Sequence, residues 1–179
     1  MSNIWFTADT HFGHKNIIKY CDRPFSCVEE MNETIITKWN NQVKEYDTVY
    51  HLGDFFWTKK SIKDYLPRLN GLIRLIPGGH DWNFLDNICL LSNSKVDVWG
   101  GLIFLKIFNP HVFLCHFPLL SWEEQYHGSW HLHGHTHGKI DASPTKERLA
   151  LDVGIDNHPE FRLFSYEEIK DIFNKVIGE

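Results

Sequence analysis

Basic residues are not in excess in this chain: 18 lysines and arginines stand against 23 aspartates and glutamates, a formal net charge of −5. A protein that grips nucleic acid through its phosphates is ordinarily basic, so long nucleic acid is not an expected partner. A phosphate-bearing substrate would need positive charge supplied locally, and bound metal cations are one source. Cysteine is sparse. Cys21, Cys27, Cys89 and Cys115 show no CxxC spacing, and they are expected to be buried or half-buried free thiols in a reducing compartment. No apolar run approaches the ~20 residues of a membrane helix. The first residues, MSNIWFTAD, lack a basic region followed by a long apolar one, so no signal peptide is expected. A membrane partner is thereby excluded from the expectation, and a cytoplasmic location is favoured. Repeats and low-complexity linkers are also lacking, and residues 1–179 are read as a single domain. Apolar residues at 42% and aromatics at 15% predict a packed core rather than disorder.

The pattern along the chain alternates between strands and helices. Short apolar, β-prone runs predict strands over residues 4–8, 48–52 and 72–76, two shorter ones between 96 and 108 joined as a hairpin around Gly100 and Gly101, and further strands in "HVFLCHFP", "WHLHGHTH" and "RLALDVGID". Ser26 with Glu29 forms a capping-box pattern ahead of Met31, Ile35, Trp39 and Val43, whose four-residue recurrence predicts an amphipathic helix. A shorter helix is expected near residues 62–69, kinked or ended by Pro67. Ser165 with Glu168 caps a last helix presenting Ile169, Ile172, Phe173 and Val176 to the core. The fold class is therefore α/β.

Histidine is the residue the chain has in plenty, 12 in all. Four of them, His131, His133, His135 and His137, alternate through "GSWHLHGHTHGKI". Such a run could be a polar strand, an adventitious metal patch or one wall of a metal site. The other strand ends decide between these. Asp9 and His11 follow the first strand, Asp54 the second, His80 and Asp81 the third, and His116 "HVFLC"; His135 and His137 follow "WHLH". Loops beyond the carboxyl ends of strands in open α/β sheets converge on one crevice. The i, i+2 spacing of Asp9 and His11 would point both to one side of extended backbone. Gly53 and Gly134 allow tight turns before Asp54 and His135. Each residue alone is weak evidence; the ordered set is specific.

This set, Asp9-Thr10-His11, Gly53-Asp54, Gly78-Gly79-His80-Asp81, His116 and Gly134-His135-Thr136-His137, resembles the calcineurin-like metallophosphoesterases from residue 4 to about 155. "ADTHFGHKNI" and "LDVGIDNHPEFRLFSYEEI" look like the small phosphoesterases common in bacteria and their phages. The resemblance implies a four-layer α/β/β/α sandwich with two divalent metal ions (Mn, Fe or Zn). Asp9, His11 and His137 would hold one metal, His116 and His135 the other, and Asp54 would bridge them. Two cations ~3.5–4 Å apart can generate a hydroxide and clamp the phosphoryl oxygens. His80 would face the leaving oxygen as acid or charge stabiliser, with Asp81 orienting its ring. The implied activity is hydrolysis of a small phosphodiester or phosphomonoester. A nucleotide pyrophosphohydrolase and a catalytically weakened, protein-binding scaffold of the same fold are the alternatives.

One position departs from the family: where its turn reads G-N-H-D and the asparagine ligates the second metal, this chain has Gly79, which offers no donor. His131 and His133 are read as structural or supporting the ligands, and His127 as a loop residue. His14 and Lys15 lie close enough in sequence to the first ligand pair to reach a substrate phosphate. Arg23 and His158 are read as exposed polar loop residues. The aromatic stretch "DFFW" (residues 54–57) could stack on a nucleobase or pack in the core.

Overall fold

The structure, a computed structural model, describes residues 2–92, 95–140 and 143–178. Three short apolar segments, β1 (Ile4–Thr7), β2 (Thr48–His51) and β3 (Leu72–Leu75), pair in parallel. With parallel β4 (Val96–Val98) at one edge and antiparallel β9 (Phe164–Ser165) at the other, they form a five-stranded mixed sheet in the order β4-β3-β2-β1-β9. A second mixed sheet has the order β5-β6-β7-β8, from β5 (Leu102–Leu105), β6 (Val112–Cys115), β7 (Trp130–His133) and β8 (Ala150–Asp152). In it β5 runs antiparallel to β6, while β6, β7 and β8 are mutually parallel.

Five α-helices complete the described residues: α1 (Ile17–Tyr20), α2 (Val28–Gln42), α3 (Lys59–Tyr65), α4 (Leu85–Leu91) and α5 (Tyr166–Ile177). Period-2 alternation divides the first sheet between two cores. Val49, Ile73 and Leu75 pack with Met31, Ile35 and Trp39 of α2, Ile62 of α3 and Ile88 of α4. On the other face, Phe6 and Tyr50 meet Val112, Leu114, Trp130 and Leu132 of the second sheet, joined by Ile169 and Phe173 of α5. Burying each of these side chains contributes roughly 1.5–3 kcal/mol. Just past β1 and β8 a parallel bridge pairs Ala8 with Gly154, and Ile155 N–H donates to the Ala8 carbonyl at 3.0 Å. The two sheets are stitched together directly beneath the loops that carry the histidines.

Several expectations need correction. β4 and β5 are not a hairpin: the Gly100-Gly101 turn carries the chain from one sheet to the other. Ser26 precedes the helix by one position more than expected; Cys27 is the N-cap, and the Ser26 amide and hydroxyl both donate to Glu30 rather than to Glu29. The helix expected at 62–69 starts earlier, capped by Thr58 with Ser61, and ends in a 3-10 turn, Leu66–Arg68, with Pro67 in its first turn, where a missing N–H costs nothing. α1, α4 and β9 were not expected, being too short for their periodicity to stand out. Cys27 and Cys89 are exposed rather than buried, although all four thiols are free. Among the described residues no helix is long and apolar enough to cross a membrane.

Candidate metal centre

The expected ligands gather beyond the carboxyl ends of β1, β2, β6 and β7, but not by the expected route. Asp9 and His11 do not project from extended backbone. Both are left-handed, with φ of +57° and +50°, and so are Asp54 (+54°), His135 (+72°) and His137 (+50°). Non-glycine residues adopt this region rarely and at a cost of about 1–3 kcal/mol each. Left-handed turns at five of six candidate ligands fold the loops back on one another. Two glycines permit the approach. A β-carbon at Gly134 would lie 2.5 Å from Asp9 Oδ2, and one at Gly78 would lie 2.4 Å from Asp54 Oδ1.

The six expected ligands fall into two groups of three, and a third group, Cys21 with His137 and Asp156, shares His137 with the first. Potential ligand atoms of Asp9, His11 and His137 lie within 4.8 Å of one another, and so do those of Asp54, His116 and His135. Asp54 Oδ2 joins them. It stands 3.7 Å from His11 Nε2, 3.6 Å from His116 Nε2 and 3.8 Å from His80 Nε2. These separations are too long for hydrogen bonds, yet those to His11 and His116 suit atoms sharing a cation, while His80 belongs to neither ligand group. The donors also fit such an ion. His116 Nδ1 lies 2.6 Å from the Leu52 carbonyl, so it carries the proton and Nε2 presents a bare lone pair. That nitrogen, both ring nitrogens of His11 and Asp9 Oδ1 are buried without a hydrogen-bond partner. Leaving such groups unpaired costs about 1–3 kcal/mol each, and a metal cation would satisfy them.

The electrostatics follow from burial and crowding. Desolvation, with Arg23, His137, His14 and His80 nearby, holds His11 well below the ordinary imidazole range. Desolvation and repulsion from Asp152 and Asp54 outweigh the His137 attraction and raise Asp9 well above the carboxylate range. His116 is lowered by burial against the pull of Asp54. His14 falls to about 4, first through burial and then through His80 and Arg23. His137 moves oppositely: burial pulls it down, but its bonds to Asp156 and Cys21 and the charge of Asp9 push it up to about 10. Without metal it would be an imidazolium, and cation binding there must release a proton.

Further residues brace these ligands. His137 Nδ1 bonds Asp156 Oδ2 at 2.7 Å, the arrangement by which a carboxylate fixes a ligating ring. Asp156 is in turn gripped by Arg23 through two 2.8 Å bonds, while Arg23 also donates to the Asp9 and Thr10 carbonyls at 2.6 and 3.1 Å. Arg23 is therefore not the exposed loop residue expected; it is buried and ties two ligand loops together. Asp81 likewise has a different job from orienting the His80 ring. Its carboxylate accepts the backbone N–H groups of Asp54 (2.7 Å), Phe55 and Gly78 (both 2.9 Å), and burial raises it to about 6 despite them. Asp152 accepts from Thr136 Oγ1 at 2.5 Å and pins the H-T-H turn. Thr10 donates to the Phe55 carbonyl and meets His51 Nε2 at 3.0 Å. The sequence offered a weak sign of Asp156, an acid two residues past the single strand-end glycine Gly154, and none of Arg23.

The remaining candidates sort by position. The His80 side chain is exposed by 47%, and its amide donates to Asp54 Oδ1. His131 is satisfied in the second sheet, accepting from Leu119 N–H and facing the Phe113 carbonyl. His133 is buried, with Nδ1 on the Gly134 carbonyl and Nε2 unpartnered; it belongs to neither ligand group. His158 is also buried, not exposed, and pairs with Glu168 away from the centre. A cavity of about 310 Å³ opens above the two groups of candidate ligands, lined by His11, Asp54, His80, His135 and His137 and by His14, Asn16, Ile17, Tyr20 and Trp57. Lys15 is exposed and not on its wall, contrary to expectation. A broader depression of about 400 Å³ beside Gly138 and Asn157 carries none of the six candidate ligands.

No model of a known protein family matches the chain. Over 162 residues it is 39% identical to the uncharacterized protein MJ1445 of Methanocaldococcus jannaschii, spanning 87% of this chain and 83% of that one. The chain belongs to one family with that archaeal protein. Solved structures that share the fold include AQ665 of Aquifex aeolicus, a protein of unknown function, with a TM-score of 0.73 at 22% identity over 96% and 100% of the two chains, and a novel archaeal phosphodiesterase, with a TM-score of 0.52 at 21% identity over 85% and 83%.

Proposed function

We propose that this chain is a metal-dependent phosphoesterase of the calcineurin-like kind, hydrolysing a small phosphodiester or phosphomonoester. The observation that carries the proposal is the meeting of two ligand triads about Asp54 Oδ2, with buried histidine nitrogens left unpartnered. The likeness to an archaeal phosphodiesterase supports it at the level of the fold. In this reading Asp9, His11 and His137 would hold one divalent cation and His116 and His135 the other, with Asp54 placed to contribute to both. Imidazole with carboxylate suits Mn, Fe or Zn. When bound, the cations would neutralise phosphoryl oxygens and acidify the attacking water. Asp81 keeps the Asp54 turn in register with Gly78. His80, held by its amide and with its ring half-exposed on the cavity wall, hands a proton to the leaving oxygen. His14, neutral at its low pKa, orients the substrate by a hydrogen bond. The reading includes one four-layer α/β/β/α domain over residues 1–179, supported by helices on one face of the first sheet and the second sheet on the other. It also includes action in the cytoplasm, where four free thiols are at home.

Gly79 favours a second reading, a scaffold with weakened catalysis, because it leaves the second cation only Asp54, His116 and His135. Hydrolysis of bis(p-nitrophenyl) phosphate with added Mn²⁺ separates the two. The enzyme reading predicts turnover abolished by chelation and restored by Mn²⁺. It also predicts that His80→Ala lowers kcat by about 10²–10⁴-fold while metal content stays near wild type. Loss of metal in that variant would make His80 a ligand, and no turnover at any Mn²⁺ concentration would leave the scaffold.

A further inference from the structure

We propose that the cavity receives a flat aromatic group borne on a single phosphate ester, and that Trp57 is the platform on which this group lies. The inference rests on the phosphoesterase reading for the phosphate end of the ligand. Its own evidence begins with the way "DFFW" divides. Asp54 enters the metal centre and Phe55 and Phe56 are fully buried in the core, but Trp57 remains 36% exposed on the cavity wall. Core packing thus explains two of the three aromatics and not the third.

Trp57 is also held flat. The His14 ring stacks on it at 3.7 Å with an interplanar angle of 8°. Tyr20 lies edge-on to His14 at 6.1 Å, and the His80 ring lies 4.8 Å from Trp57, tilted to it by 59°. The rings Tyr20, His14, Trp57 and His80 therefore form a continuous aromatic wall leading down to His11, 5.5 Å from His80. Such a wall is ordered before any ligand arrives, which lowers the entropic cost of stacking on it.

The charge distribution limits the rest of the ligand. No lysine or arginine is among the residues lining this cavity. Oligophosphates are ordinarily held by those residues, so the lining offers no charge for a second phosphate beyond the one that bound cations would hold at the floor. A volume of about 310 Å³ is at the small end of ligand sites and suits one ring system rather than a chain of them. These features favour a single-phosphate aromatic ester over a pyrophosphate.

Calorimetry on the Mn²⁺-loaded protein with diphenyl, dicyclohexyl and dimethyl phosphate tests the proposal, since all three carry one negative charge. Stacking contributes about 1–3 kcal/mol, roughly 5–150-fold, so diphenyl phosphate should bind wild type at least about fivefold more tightly than dicyclohexyl phosphate. Trp57→Ala should reduce that preference to within about twofold, and Trp57→Phe, which keeps a ring, should retain most of it. Equal binding of the aryl and cyclohexyl esters by wild type, no binding of either, or a full preference surviving in Trp57→Ala would each overturn the platform. The aryl preference without hydrolysis of bis(p-nitrophenyl) phosphate would leave the aromatic site standing and remove the phosphoesterase reading. Hydrolysis without the preference would remove the platform alone.

Discussion

Asp9, His11, Asp54, His135 and His137 all occupy left-handed backbone, and this is the residue-scale fact that shapes the centre. Strand-end positions and residue types were legible in the sequence, and the six candidate ligands do come together in two groups. What was not legible is how they get there, because no side-chain pattern announces a positive φ at aspartate or histidine. Arg23 and Asp81 were misread for a related reason. Their carboxylate or guanidinium serves backbone carbonyls and amides of distant loops, and such partners have no sequence signature. Gly79 lies in ordinary backbone, and a β-carbon there would meet nothing within 4 Å. Gly79→Asn should therefore fold as wild type does. A Mn²⁺ titration should show the weaker of two binding steps tightened by about tenfold, roughly 1.4 kcal/mol, with the stronger step unmoved. A folded variant that binds Mn²⁺ no better would mean that asparagine does not reach the second cation from this turn.

At the scale of the element, legibility followed the length and strength of local signals. The capping box of α5 stands as expected: Ser165 Oγ accepts the Glu168 amide at 3.1 Å and Glu168 accepts the Ser165 amide at 2.8 Å. α2 was found with its cap one residue out of frame, and the Gly100-Gly101 turn was misassigned because pairing partners of three- and four-residue strands are set by tertiary contacts, not by the turn. Glu168 gives an element-scale test. Burial works against its ionisation, but bonds from Arg162 and Ser165 win and lower it to about 2. A folded pKa below the ordinary 4.5 means that its stabilisation is complete above 4.5 and is lost as pH falls toward 2. The group is substantially exposed, so screening holds the effect to about 1 kcal/mol. Glu168→Gln should lower stability near pH 7 by that amount and flatten the decline between pH 4.5 and 2 in urea titrations. An unchanged acid limb in the variant would show that the cap and the Arg162 pair add no pH-dependent stability.

For the whole molecule, two sheets with parallel strands pack face to face, and the carboxyl ends of β1, β2, β6 and β7 open on one side. This topology concentrates imidazoles and carboxylates in a chain of net charge −5, and it makes one atom, Asp54 Oδ2, the junction between the two ligand groups. The central claim is that Asp54 serves two cations at once. Its most direct test is the Mn²⁺ content per chain of Asp54→Ala beside wild type after equilibrium dialysis, with circular dichroism confirming the fold. The account predicts two ions per wild-type chain and loss of most bound metal in the variant, together with its phosphodiester hydrolysis. Two ions retained by Asp54→Ala, with hydrolysis intact, would contradict it.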